Sequence, residues 1–78
     1  MPLKPEIIEE LRMLSLYNLE SVQEGIKVHD SASPESISAA KRLFDKGLVS
    51  QEDGGYLTDL GIEAAEHTQA ALTILTSR

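Results

Sequence analysis

A mainly helical fold with one small antiparallel β-hairpin is predicted by three features of the sequence. Ser33-Pro34 and Gly47 bracket a run with helical apolar spacing. Asp53-Gly54 stands between two short apolar segments. A second, longer helical period begins after Thr58.

Pro5 suits the first position of a helix, where its missing N–H costs nothing. Ile7, Ile8, Leu11 and Leu14 follow at helical spacing, which predicts a first helix over 5–15. Glu6, Glu9 and Glu10 read as a solvated acidic face near its positive end. Asn18 is a reasonable N-cap for a second helix over 18–29, with Leu19, Val22, Ile26 and His29 on one side. Gly25 sits inside that run, and Ile26-Lys27-Val28-His29 also alternates, so a short strand is the rival reading. The helix is preferred. Ser33 caps the third helix, 33–46, with Ile37, Ala40, Leu43 and Phe44 as its buried stripe and Gly47 as its left-handed stop. The hairpin spans 48–58 around Asp53-Gly54. Thr58 caps a fourth helix over 59–76, about 27 Å long at 1.5 Å per residue. Leu60, Ala64, His67, Ala71 and Ile74 line one side of it, and Gly61, Ala65, Thr68, Leu72 and Leu75 the next. That apolar band is wider than one core demands.

The 78 residues make a single domain, 1–78, near the lower limit for one apolar core. There is no cysteine, hence no disulfide or thiolate-metal framework. The N-terminus lacks a signal-peptide pattern, and no stretch approaches the roughly 20 apolar residues of a membrane span. A cytoplasmic protein without membrane contact is expected. Thirteen acidic residues against seven basic give a net charge of −6, which opposes non-specific attraction to phosphate or anionic lipid.

The succession of helices and hairpin resembles a winged helix-turn-helix domain, and specifically the MarR-type regulators. Lys46-Gly47-Leu48-Val49 matches the end of their third helix, and Leu57-Thr58-Asp59-Leu60-Gly61 the return of their wing. The likeness covers about 19–65. Over its full length, including Gly25-Ile26-Lys27-Val28-His29 and Asp53-Gly54-Gly55-Tyr56, the chain is similar to a small family of uncharacterised bacterial proteins of about this size. That likeness implies the same fold and brings no established activity.

The MarR-type resemblance implies that the third helix enters the major groove of duplex DNA. Ser36, Ser38, Ala39 and Arg42 would then face bases, and Lys27, Lys41 and Lys46 would contact phosphates. The wing departs from the pattern, with Gln51, Glu52 and Asp53 where the family carries Arg or Lys. Over 33–57, three cations face four carboxylates, so DNA binding would be weak unless the protein is dimeric. Two functions follow: a DNA-binding module of the transcription-regulator type, or an acidic protein-interaction module that meets a basic partner without binding DNA. The wide apolar band predicts a homodimer through Ile7, Leu11, Leu72, Ile74 and Leu75, although the first helix could cover part of that band within one chain.

No catalytic constellation stands out, and the chain is not expected to be an enzyme. Glu63 and His67 are one helical turn apart, but two ligands do not make a metal site. His67 reads instead as a hydrogen-bonded core or interface residue. No cofactor or metal is expected. Target sequence, effector and partner identity do not follow from these residues.

Overall fold

The computed structural model describes residues 3–21 and 24–77. Pro5–Leu14 form α1, Ile26–Lys27 β1, Pro34–Asp45 α2, Val49–Gln51 β2, Gly54–Leu57 β3 and Asp59–Thr76 α3. The described residues thus contain three helices and one antiparallel sheet of order β1-β3-β2. The order helix, helix, hairpin, long helix is compatible with a winged-helix-like layout.

Local signals set the ends of α2 and α3. Ser33 Oγ accepts from the Ser36 N–H at 3.2 Å, and Thr58 Oγ1 accepts from the Gly61 N–H at 3.1 Å. Each cap satisfies a donor that its helix leaves unpaired. Gly47, at φ 79, follows α2 as the predicted left-handed stop. Thr58 also donates its hydroxyl to the Gly47 carbonyl at 2.6 Å and its N–H to Leu48 at 3.1 Å. The exit of α2 and the entry of α3 are therefore one hydrogen-bonded unit. Gly61 permits it, because a Cβ there would collide with the Leu48 carbonyl.

The helix predicted over 18–29 does not form among its described residues, 18–21 and 24–29. Asn18 turns the chain instead: its Oδ1 accepts from the Glu20 N–H at 3.0 Å, and its Nδ2 donates to Glu24 Oε2 at 2.6 Å. Such side-chain bonds offer the backbone an alternative to helix. Ile26 and Lys27 then pair with Gly55 and Gly54 of β3. Gly25 is required by that pairing, since a Cβ on it would lie 2.9 Å from the Gly55 carbonyl oxygen. The alternating segment is thus a strand, with Ile26 and Val28 turned to the core and Lys27 and His29 to solvent. Val22, which belonged to the predicted stripe, lies outside the described residues.

The core consists of Met13, Leu14, Tyr17, Ala39, Ala40, Leu43, Val49 and Ala65, with Leu19, Ile26, Val28, Leu48, Leu57 and Ala64 packed on it. Two predicted stripes are rotated. On α2, Ala39 is buried while Ile37 and Phe44 remain 39% and 38% exposed. On α1, the inward residues are Glu10, Met13 and Leu14, not Ile8 and Leu11. α2 packs directly on α1, and its buried row runs through Ala39, Ala40 and Leu43. Gln69 of α3 closes the end of α1 by donating to the carbonyls of Leu14, at 3.2 Å, and Tyr17, at 2.7 Å.

Tyr17 is 3% exposed, and its hydroxyl donates to the Gly55 carbonyl at 3.1 Å. It ties the segment after α1 to the central strand. Burial raises its pKa above the ordinary 10.0 by penalising the phenolate. The folded state therefore holds this proton more firmly than the unfolded state does. The resulting stability is complete below pH 10 and is lost as pH rises above it. Thermal melts across that range should show the loss in the wild type. Tyr17→Phe should be about 1 kcal/mol less stable at neutral pH and show a shallower alkaline decline.

Candidate functional site

The helix expected to carry the site is α2. Its C-terminal half presents Arg42 and Lys46 one turn apart on the side that meets α1. Glu10 lies between them, 5% exposed. Arg42 Nε donates to Glu10 Oε2 at 2.9 Å, and Lys46 Nζ donates to Glu10 Oε1. Arg42 Nη2 adds a bond to the Glu6 carbonyl at 3.2 Å. Both carboxylate oxygens of Glu10 are thus engaged by cations from another helix. A buried carboxylate needs such partners, because desolvating it unpaired costs several kcal/mol.

The other candidates are dispersed. Ala39 is fully buried and cannot face a base, because its side of α2 is the side packed against the core. Ser36 is half-buried and hydrogen-bonded to its cap, with Ser33 Oγ donating to Ser36 Oγ at 3.0 Å. Ser38 and Lys41 are exposed. Lys27 projects from β1 and pairs with Asp53 of the hairpin tip at 3.4 Å. Arg12 pairs with Glu9 at 3.7 Å. Among the described residues, only Lys4 and Lys41 are cations without a carboxylate partner.

Between α2, the end of β1 and the hairpin tip lies an open cleft of about 650 Å3. Val28, Ile37 and Ala40 form its apolar part; Lys27, His29, Asp30, Lys41, Glu52 and Asp53 supply its polar edge. A second surface is formed by the end of α3. Every residue from Ala70 to Ser77 is exposed, including Leu72, Ile74 at 72% and Leu75 at 79%. Of the residues predicted for a dimer contact, Ile7 is half-buried and Leu11, Leu72, Ile74 and Leu75 are exposed.

The two remaining chemical candidates are also on the surface. Glu63 and His67 are both exposed, which removes the core half of the core-or-interface reading of His67. The buried side of α3 follows Gly61, Ala65 and Thr68, one row round the helix. Among the described residues, no group of three or more His, Cys, Asp or Glu is placed to hold a metal. No helix among them is long and apolar enough to cross a membrane. Sequence reasoning missed Glu10, Tyr17 and Gln69. A signal for the first two was present: Glu10, Met13, Leu14 and Tyr17 are spaced at three and four, a helical stripe that merely begins with a carboxylate.

These features define a small, mainly helical domain with a three-stranded antiparallel sheet, its helix cations turned onto a buried glutamate. Residues 1–76 match the model of a family described as a family of unknown function, DUF5669, and the chain belongs to that family. No curated protein and no solved structure matches it.

The Glu10 bridge yields a direct test. Glu10→Gln should lower stability by about 1–3 kcal/mol, less than for a fully buried pair because Arg42 and Lys46 can still reach water. A cycle with Arg42→Gln should give a coupling of at least about 0.5 kcal/mol in urea unfolding. Additive effects would mean that the bridge is not formed in solution.

Proposed function

We propose that the chain is an acidic, winged-helix-like protein-interaction module that is homodimeric and meets a basic partner, and that it does not read duplex DNA. One observation carries the choice: Glu10 holds both Arg42 and Lys46 within the fold. A DNA-reading helix requires cations free to reach phosphate oxygens and base edges. Of the MarR-like positions, Arg42 and Lys46 are committed internally, Lys27 is paired with Asp53 and Ala39 is buried, which leaves Lys41 as the one such cation without a carboxylate partner among the described residues. The hairpin tip adds Glu52 and Asp53, which would meet phosphate with repulsion.

The end of α3 supports the homodimer. Residues 67–77 contain no Asp, Glu, Lys or Arg, although the chain as a whole carries −6. Two copies meeting there bury Leu72, Ile74 and Leu75 and keep their like charges apart.

Titration of the labelled protein with mixed duplex DNA at about 50 mM salt, where phosphate attraction is still strong, should leave the amides of 34–46 and the hairpin unmoved. Salt-sensitive shifts clustered on those residues would restore the DNA reading. Sedimentation should show a concentration-dependent dimer, and Leu75→Lys should weaken it at least about tenfold by placing an unpaired charge in the contact. A monomer at every concentration would rule the dimer out.

A further inference from the structure

The cleft between α2 and the hairpin is where a winged helix would present itself to a phosphate backbone, and its chemistry is suited to a different ligand. Its apolar part includes Ile37, which the core leaves 39% exposed, beside Val28. On its edge, Asp53 is paired with Lys27, whereas Asp30 and Glu52 have no cation partner among the described residues. Lys41 is the one unpaired lysine facing them. The unpaired charge of the cleft is therefore negative, on a chain that is itself −6. The volume, about 650 Å3, lies within the roughly 300–1,000 Å3 typical of clefts that enclose a ligand.

We propose that this cleft binds a short basic peptide segment of the partner protein. An apolar side chain of the segment rests on Ile37 and Val28, and flanking Lys or Arg side chains reach Glu52 and Asp30. Lys41 is placed to donate to a carbonyl of the bound segment. This inference rests on the protein-interaction reading and gives it a location. The acidic residues alone would not define a site. Their position around an exposed isoleucine, in a cleft walled by α2 and the hairpin, does. The negative field of the chain also favours encounter with cationic segments, and that contribution weakens as salt rises.

The test is an amide-shift titration of the full chain with the peptide acetyl-Lys-Arg-Leu-Lys-Arg-amide, beside its acidic counterpart acetyl-Glu-Asp-Leu-Glu-Asp-amide and a short duplex DNA. The basic peptide should shift Val28, His29, Ile37, Lys41 and Glu52 together, and the effect should fade with salt. Glu52→Lys, on the exposed hairpin tip where folding is not at stake, should weaken binding about fivefold or more. Asp30→Asn should weaken it to a smaller degree, having removed a charge without reversing one. The proposal is overturned if the basic peptide leaves the cleft unshifted, if its shifts spread over the carboxylates of α1 instead, or if the acidic peptide acts equally well. An unshifted cleft in a protein that still dimerises and ignores DNA removes only this assignment. Duplex DNA seated in the cleft removes both this assignment and the reading beneath it.

Discussion

The arrangement of α1 on α2 depends on the carboxylate of Glu10. It is enclosed between the helices and accepts from Arg42 at 2.9 Å and from Lys46. Removing one side of such a bridge leaves a charge without its counterion, so the three residues act as a unit. Ala39 and Ala40 are fully buried on α2, while the side chains of Arg42 and Lys46 reach back to Glu10 of α1. Packing and electrostatics therefore specify the same register. A slip of either helix by one turn would separate the carboxylate from at least one cation. This gives a domain with a core of only a few large side chains a specific way to seat its second helix.

That bridge also separates the scaffold from the function its layout suggests. Charge on the surface of a helix is available to a ligand, whereas charge turned inward on a neighbouring helix is part of the fold. The likeness to MarR-type regulators rests on Lys46-Gly47-Leu48-Val49 and Leu57-Thr58-Asp59-Leu60-Gly61, and each of these segments has a structural task here. Gly47 terminates α2, Thr58 caps α3 while holding the Gly47 carbonyl, and Gly61 admits the Leu48 carbonyl. The shared residues maintain a turn and a helix start. They carry no information about what the surface binds.

The parts of the fold legible in the sequence were those fixed within a few residues. Ser33, Gly47 and Thr58 act on their own neighbours, so the ends of α2 and the start of α3 could be read directly. The segment 18–29 could not, because Gly25 and Ile26 are decided by Gly55, thirty positions away. A glycine inside an apolar run looks the same whether it weakens a helix or makes room for a strand. The inward stripe that Glu10 begins was readable, but the partners of its carboxylate were opaque for a similar reason. Beside Glu9 it reads as one more solvated carboxylate, and its cations lie 32 and 36 residues further on. Ile37 and Phe44 were misplaced because periodicity gives the spacing of a stripe but not which neighbouring row faces inward. Of the candidate site residues, the pairing of Lys27 with Asp53 was not legible either, because it depends on the strand that Ile26 and Lys27 form beside the hairpin.

In the proposed assembly, the distribution of charge assigns different tasks to different surfaces. Burying apolar area is favourable for any partner, so hydrophobicity alone does not select a second copy over a foreign chain. Electrostatics can make that selection. A uniformly anionic chain repels itself wherever its carboxylates approach, and the uncharged segment 67–77 is where that penalty is smallest. The cleft at α2 has the opposite character. Asp30 and Glu52 oppose a second acidic copy and favour a cationic segment. A homodimer formed through α3 leaves both clefts open, so one assembly would display two acidic sites. If their spacing matches two basic segments of one partner, the second contact becomes intramolecular, and weak individual sites suffice for firm association.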